Sequence, residues 1–141
     1  MIEDGALSAD AMLQGAETPA TPYTNPAISL EFNSVGLAES LQRAVAAQGY
    51  TTMTPIQAKA IPIVLAGRDV MGAAQTGTGK TAGFSLPIIQ LLLAHANSSM
   101  SPARHPVRAL ILTPTRELAV QVAENVQAYC QFTPLRACVV F

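Results

Sequence analysis

The sequence predicts an α/β fold, a parallel sheet with flanking helices and a glycine-rich loop between strand and helix, and three observations lead there. Short apolar runs alternate with amphipathic helical stretches, which implies parallel strands joined by right-handed crossovers. Half of the 141 residues are apolar and only 12% are charged, as expected when buried parallel strands read as continuous apolar runs. A glycine-rich stretch also sits between an apolar run and a helical one, in the order strand, loop, helix.

The elements follow in chain order. Residues 1–30 are rich in Ala, Thr and Pro, carry several breakers and show little periodicity, so a flexible tail is expected there, with the folded unit over 31–141. Leu37, Leu41 and Val45 recur at a spacing of four with Ala44 beside them, and Gly49 stands where a residue past a helix end belongs. Thr54, Pro55 and Gln57 make a helix start, with a capping hydroxyl, a proline in the first turn and an amide able to reach back. That second helix should break near Pro62 and close at Gly67. Residues 69–74 read as a short strand, 75–79 as the loop, and Lys80 to about Asn97 as a helix that Pro87 should kink or split. Residues 97–106 have loop composition, 107–113 the apolar, β-branched look of a strand, and a further helix starts near Thr115 with Leu118, Val122 and Val126 on one face. Residues 135–141 read as another strand, and no internal repeat is present.

Composition excludes several classes. A formal net charge of −1 gives no broad electrostatic footprint for nucleic acid, so any such binding must rest on a few placed residues. No Lys or Arg precedes Arg43, which argues against a secretory or transit peptide and makes a cytoplasmic location the expectation. The most apolar stretch, 82–96, is interrupted by Pro87 and Gln90 and falls short of the roughly 20 residues that span a bilayer, so no membrane association is expected. Cys130 and Cys138 are expected to be reduced core thiols, and His95 and His105 solvent-exposed bystanders.

The chemistry is concentrated in Ala74–Thr81, A-Q-T-G-T-G-K-T, which fits A/G-x-x-x-x-G-K-[ST]. Glycines let backbone N–H groups from Gln75, Thr76, Gly77, Thr78 and Gly79 curl around a phosphate, and the following helix N-terminus adds partial positive charge. Lys80 would then reach the β- and γ-phosphates and the Thr81 hydroxyl would ligate Mg²⁺. A glycine-rich turn that merely links strand to helix is the competing reading, and it leaves Lys80 unexplained.

Two further stretches flank the loop. Gly49–Gln57 reads G-Y-T-T-M-T-P-I-Q, with Phe32 upstream, and Pro114–Ala119 reads P-T-R-E-L-A. In order and spacing, these three stretches resemble the Q motif, motif I and motif Ia of DEAD-box RNA helicases, over the chain from about Phe32 to its end. The wording R-A-L-I-L-T-P-T-R-E-L-A is most similar to the bacterial RhlE-like group. Met53, where the family usually has Pro, and Thr51, where a charged residue is common, are departures.

The resemblance implies part of a RecA-like helicase ATP-binding domain, with ATP and Mg²⁺ as cofactors and RNA as partner. It also implies that Gln57 hydrogen-bonds the adenine edge. An amide offers one donor and one acceptor in a plane, complementary to adenine and mismatched to guanine. The same Gln57 completes a capping box with Thr54, and the two roles can coexist. Tyr50 and Phe32 are aromatic candidates for supporting or stacking on the base, or are simply core. Pro114, Thr115 and Arg116 are implied to meet the RNA sugar-phosphate backbone, contacts that carry no base information. Without the resemblance, Thr115 is a helix cap and Arg116 a solvated or paired side chain.

The Asp-Glu-Ala-Asp motif is absent, and the only aspartates are Asp4, Asp10 and Asp69. The expectation is therefore a fragment that binds ATP but neither hydrolyses it nor unwinds RNA alone, lacking the second RecA-like domain of a full-length hydrolase. Alternatives are a different P-loop ATPase, or a non-catalytic module that binds nucleotide or a partner through the same surface.

Overall fold

The computed structural model describes residues 31–96 and 106–141. The expected tail and most of the 97–106 loop, with His105, lie outside them. Among the described residues a 3-10 turn, Phe32–Val35, leads into four α-helices: α1 Glu39–Ala47, α2 Pro55–Leu65, α3 Lys80–Leu93 and α4 Arg116–Cys130.

The core is where the helices meet. Leu41 and Val45 of α1, Ile61 of α2, Leu86 and Ile89 of α3, and Val122, Val126 and Tyr129 of α4 are all buried together, with Phe32 beneath them. These are the apolar positions that the spacing of three and four places on one helix face. Leu118 departs from its expected face and is exposed.

Helix ends follow from local chemistry. After α1, Gly49 takes φ 79°, a left-handed conformation that a Cβ would strain. Its N–H bonds Ala46 O at 2.9 Å while Tyr50 N–H bonds Val45 O at 3.2 Å, the paired closure of a Schellman motif. At the other end, Ala38 offers no capping side chain. Gln90 of α3 supplies one instead, its Oε1 accepting the Ala38 N–H at 2.6 Å.

Three sequence expectations are corrected. α2 does not break at Pro62 but runs through it to Leu65. The proline leaves the Ala58 carbonyl without its usual donor, and burial of Ala58, Ala60 and Ile61 outweighs that loss. Of the kink or split expected at Pro87, the split does not occur: α3 runs through the proline, which is itself buried. Cys130 is a buried free thiol whose pKa burial pushes up, but Cys138 is exposed and not part of the core.

The segments 69–74, 107–113 and 135–141 carry no ladder hydrogen bonds among the described residues, where the one β-pairing is an isolated antiparallel bridge between Glu31 and Thr52. A strand draws its stability from hydrogen bonds to other segments, so an apolar run alone does not make one. A two-residue alternation survives only over 110–113 and 135–138. Ile111, Leu135 and Ala137 pack against the core, while Leu110, Leu112 and Val140 point outward and are exposed.

Candidate nucleotide-binding site

The site is assembled from the start of α2 and the loop that enters α3. Thr54 caps α2: its Oγ1 accepts the Gln57 N–H at 3.5 Å, and Gln57 Oε1 accepts the Thr54 N–H at 2.9 Å. This is the reciprocal capping box read from T-P-I-Q. The Gln57 side chain has a second partner that the local pattern does not reveal. Its Nε2 donates to Gly79 O at 3.0 Å, so one amide spans the helix start and the last loop residue. Gln57 is buried, and its amide keeps a second N–H and a second lone pair for another ligand.

The loop bends where its glycines allow. Gly77 has φ 81° and Gly79 φ 82°, both in the left-handed region. A Cβ on Gly79 would stand 2.3 Å from Gln57 Nε2, so the close approach of loop and amide also requires glycine there. Thr78 Oγ1 donates to Gln75 O at 2.7 Å and braces the turn. Lys80 Nζ donates to Ala74 O, so the ammonium folds back across the loop to the residue that precedes it. Lys80 is exposed, as are Gln75, Thr76 and Gly77; Thr78, Gly79 and Thr81 are half-buried.

The electrostatics favour an anion. The first intrahelical donor of α3 is Gly83 N–H, to Gly79 O at 3.1 Å. The N–H groups of Lys80, Thr81 and Ala82 therefore lie ahead of the helical ladder and face the loop side. The first turns of α1 and α4 each carry a glutamate, Glu39 and Glu117, which suits the positive end of a helix. The first turn of α3 carries no acid and begins with a lysine instead, an arrangement that stabilises the helix least and a phosphate most.

The other expected site residues form separate groups. Tyr50 is half exposed and neighbours Tyr129, which is buried on the last turn of α4. Burial, and next the neighbouring Tyr50, push the Tyr129 phenol well above the usual tyrosine range, so it stays neutral. Phe32 is buried in the core, in keeping with its packing reading. Met53, the departure from the usual proline, is also buried there, and Thr51 is exposed.

Pro114, Thr115 and Arg116 are all exposed at the N-terminus of α4. Thr115 Oγ1 accepts the Leu118 N–H at 3.3 Å, so the capping reading holds, and the hydroxyl proton stays available as a donor. The Arg116 guanidinium lies 5.5 Å from the centre of the Phe141 ring. His95 is exposed just past α3. Among the described residues no group of His, Cys, Asp or Glu gathers as a metal site, and no helix is long and apolar enough to cross a membrane.

A family model described as DEAD/DEAH box helicase matches residues 54–141. DEAD-box ATP-dependent RNA helicase 28 of Oryza sativa subsp. japonica is 49% identical over 110 residues, covering 77% of this chain and 13% of that protein. DEAD-box ATP-dependent RNA helicase RhpA of Helicobacter pylori is 50% identical over 95 residues, 67% of this chain and 18% of its own. The chain thus spans less than a fifth of the length of either relative. Among solved structures, Prp28 from Chaetomium thermophilum bound to ADP matches with TM-score 0.63 and 38% identity, over 76% of this chain and 25% of that one. Dbp5 of S. cerevisiae bound to RNA and ADP BeF3 matches with TM-score 0.63 and 33% identity, over 75% and 26%. The chain shares the RecA-like α/β fold of these proteins.

Proposed function

This chain belongs to the DEAD/DEAH box helicase family, and on that premise we propose that it forms the adenine- and phosphate-binding part of an ATP-dependent RNA helicase. The observation that carries the proposal is the Gln57 bridge. A single buried amide joins the α2 start to Gly79 O, so a residue suited to read a base edge is held at a fixed position beside the phosphate loop. Solved relatives bound to ADP, and to RNA with ADP BeF3, support the same pairing of ligands.

In this proposal the loop amides from Gln75 to Gly79 and the α3 N-terminus hold the phosphates. Lys80 would leave Ala74 O to neutralise the β- and γ-phosphates, and the Thr81 hydroxyl would be the residue to hold a Mg²⁺ carried with the nucleotide. The donor set fits that cargo, with backbone N–H groups, one ammonium and one hydroxyl in sequence. When bound, the metal would neutralise charge on the phosphate oxygens. Tyr50 supports the base side from the head of the Gly49–Gln57 segment. Pro114, Thr115 and Arg116 take the RNA backbone, Arg116 exchanging the Phe141 ring for a phosphate.

The test is calorimetry with ATP and GTP. ATP should bind about fivefold or more tightly than GTP, since a mismatched donor and acceptor pattern costs roughly 1–3 kcal/mol. Gln57→Ala should bring the two affinities together, and equal affinity in the unsubstituted chain would end Gln57's proposed role. These 141 residues by themselves are also expected to release no phosphate from ATP, with or without RNA. Their only aspartates are Asp4, Asp10 and Asp69, none of them in an Asp-Glu-Ala-Asp motif. RNA-stimulated phosphate release that Lys80→Ala abolishes would contradict this.

A further inference from the structure

Two of the buried polar side chains reach the same short stretch of backbone from different helices. Gln57 of α2 is 4% exposed and donates Nε2 to Gly79 O at 3.0 Å, while Ser85 of α3 is 1% exposed and donates Oγ to Thr81 O at 2.5 Å. Both carbonyls belong to the junction where the phosphate loop becomes a helix, one on either side of Lys80. A trans peptide holds its C=O and the next N–H on opposite sides of one plane. Fixing Gly79 O therefore aims the Lys80 N–H, and fixing Thr81 O aims the Ala82 N–H. Both of these N–H groups lie ahead of the helical ladder, on the loop side. Helix stability does not account for the Ser85 bond, since a serine hydroxyl turned back to the carbonyl four residues earlier slightly weakens a helix. Ser85 also stands between Gly83, a poor helix former, and Pro87, which withdraws the ladder donor from Gly83 O. The opening turns of α3 are thus held weakly by their own backbone, where a phosphate needs them fixed.

We propose that Ser85 is a positioning residue for the phosphate site: its buried hydroxyl fixes the peptide between Thr81 and Ala82 so that the Ala82 N–H faces a phosphate. Gln57 does the same for the peptide between Gly79 and Lys80. The inference rests on the phosphate role of the loop proposed above and extends it to a residue that touches no ligand. Buried away from water, the Ser85 hydroxyl keeps its bond because a hydroxyl left without a partner there carries its full desolvation cost. The two grips differ in one respect. Gln57 has a second duty at the base and Ser85 has none, so they leave different marks on binding. Loss of the Ser85 hydroxyl weakens every ligand that carries the phosphates by a common factor, whereas loss of the Gln57 amide changes the choice between bases.

The experiment measures binding of ATP, GTP and inorganic tripolyphosphate by calorimetry to the full chain and to its Ser85→Ala and Ser85→Thr variants, below their melting temperatures. Tripolyphosphate reports on the phosphate loop alone, while the nucleotides report on loop and base together. Ser85→Ala is expected to weaken all three about fivefold, the equivalent of one lost hydrogen bond, and to leave the ratio of ATP to GTP affinity within about twofold. Ser85→Thr keeps a hydroxyl that can reach the same carbonyl, and it should recover tripolyphosphate affinity to within about twofold. A tripolyphosphate titration followed through the backbone amide resonances of the unsubstituted chain needs no variant, and it should move the Lys80 and Ala82 signals. Unchanged tripolyphosphate affinity in Ser85→Ala, no recovery in a folded Ser85→Thr, or an Ala82 signal that stays still as tripolyphosphate binds would overturn the positioning role. An unsubstituted chain that binds no tripolyphosphate would instead remove the phosphate reading itself, and the role of Ser85 with it.

Discussion

Lys80→Ala is expected to lower ATP affinity at least about 30-fold while leaving the melting temperature almost unchanged. The two halves of that expectation have different physical origins. Lys80 is exposed, and in the structure its ammonium makes one bond, to Ala74 O at the edge of the loop. Truncating an exposed side chain of this kind moves stability by no more than about 0.5 kcal/mol. Alanine also suits a helix start that gains nothing from positive charge in its first turn. Bound phosphates change the balance, because a charge-assisted bond contributes roughly 1.5–3 kcal/mol and Lys80 is placed to reach two phosphate groups. Calorimetry with ATP and thermal melting, run on the same preparation, separate the two effects. An affinity within about threefold of the unsubstituted chain would mean that the ammonium stays on Ala74 and that phosphate binding rests on backbone amides alone.

Gly79→Ala should be more damaging, since it acts on fold and site together. Gly79 has φ 82°, where any Cβ costs about 1–2 kcal/mol. The added carbon would also stand 2.3 Å from Gln57 Nε2, so the amide must swing away and give up its bond to Gly79 O. The combined cost is about 2–4 kcal/mol, a fall in melting temperature of roughly 8 °C or more. ATP and tripolyphosphate should both bind weakly, because the loop itself is deformed. The double variant Gly79→Ala/Gln57→Ala discriminates the cause: part of the penalty is a collision with Gln57, so removing that side chain should recover stability and make the two substitutions non-additive. Strict additivity would show that backbone strain at Gly79 accounts for the whole effect.

The features legible in the sequence are those whose physics is local. T-P-I-Q declares the α2 cap, and the glycine spacing with Lys80 declares the loop, because a capping box and a left-handed glycine are each settled within a few residues. Helix faces were legible for the same reason, down to Val122 and Val126. What escaped depends on residues far apart. Leu110 and Leu112 look like strand residues, yet without ladder bonds among the described residues they are exposed. Pro62 looks like a helix break, and packing of Ile61 carries the helix through it. At the site, the adenine-type amide and the phosphate loop were separate readings; only the structure joins them, through Gln57 Nε2 and Gly79 O.

The contact between Gln90 and Ala38 bears on how the molecule comes apart. With no side chain of its own at the cap, the nine-residue helix at Glu39–Ala47 depends on an oxygen from the phosphate-binding helix to begin. So short a helix is marginal in water by itself. The first helix and the phosphate-binding helix therefore belong to one cooperative unit, and their amides should exchange with solvent in a single opening event.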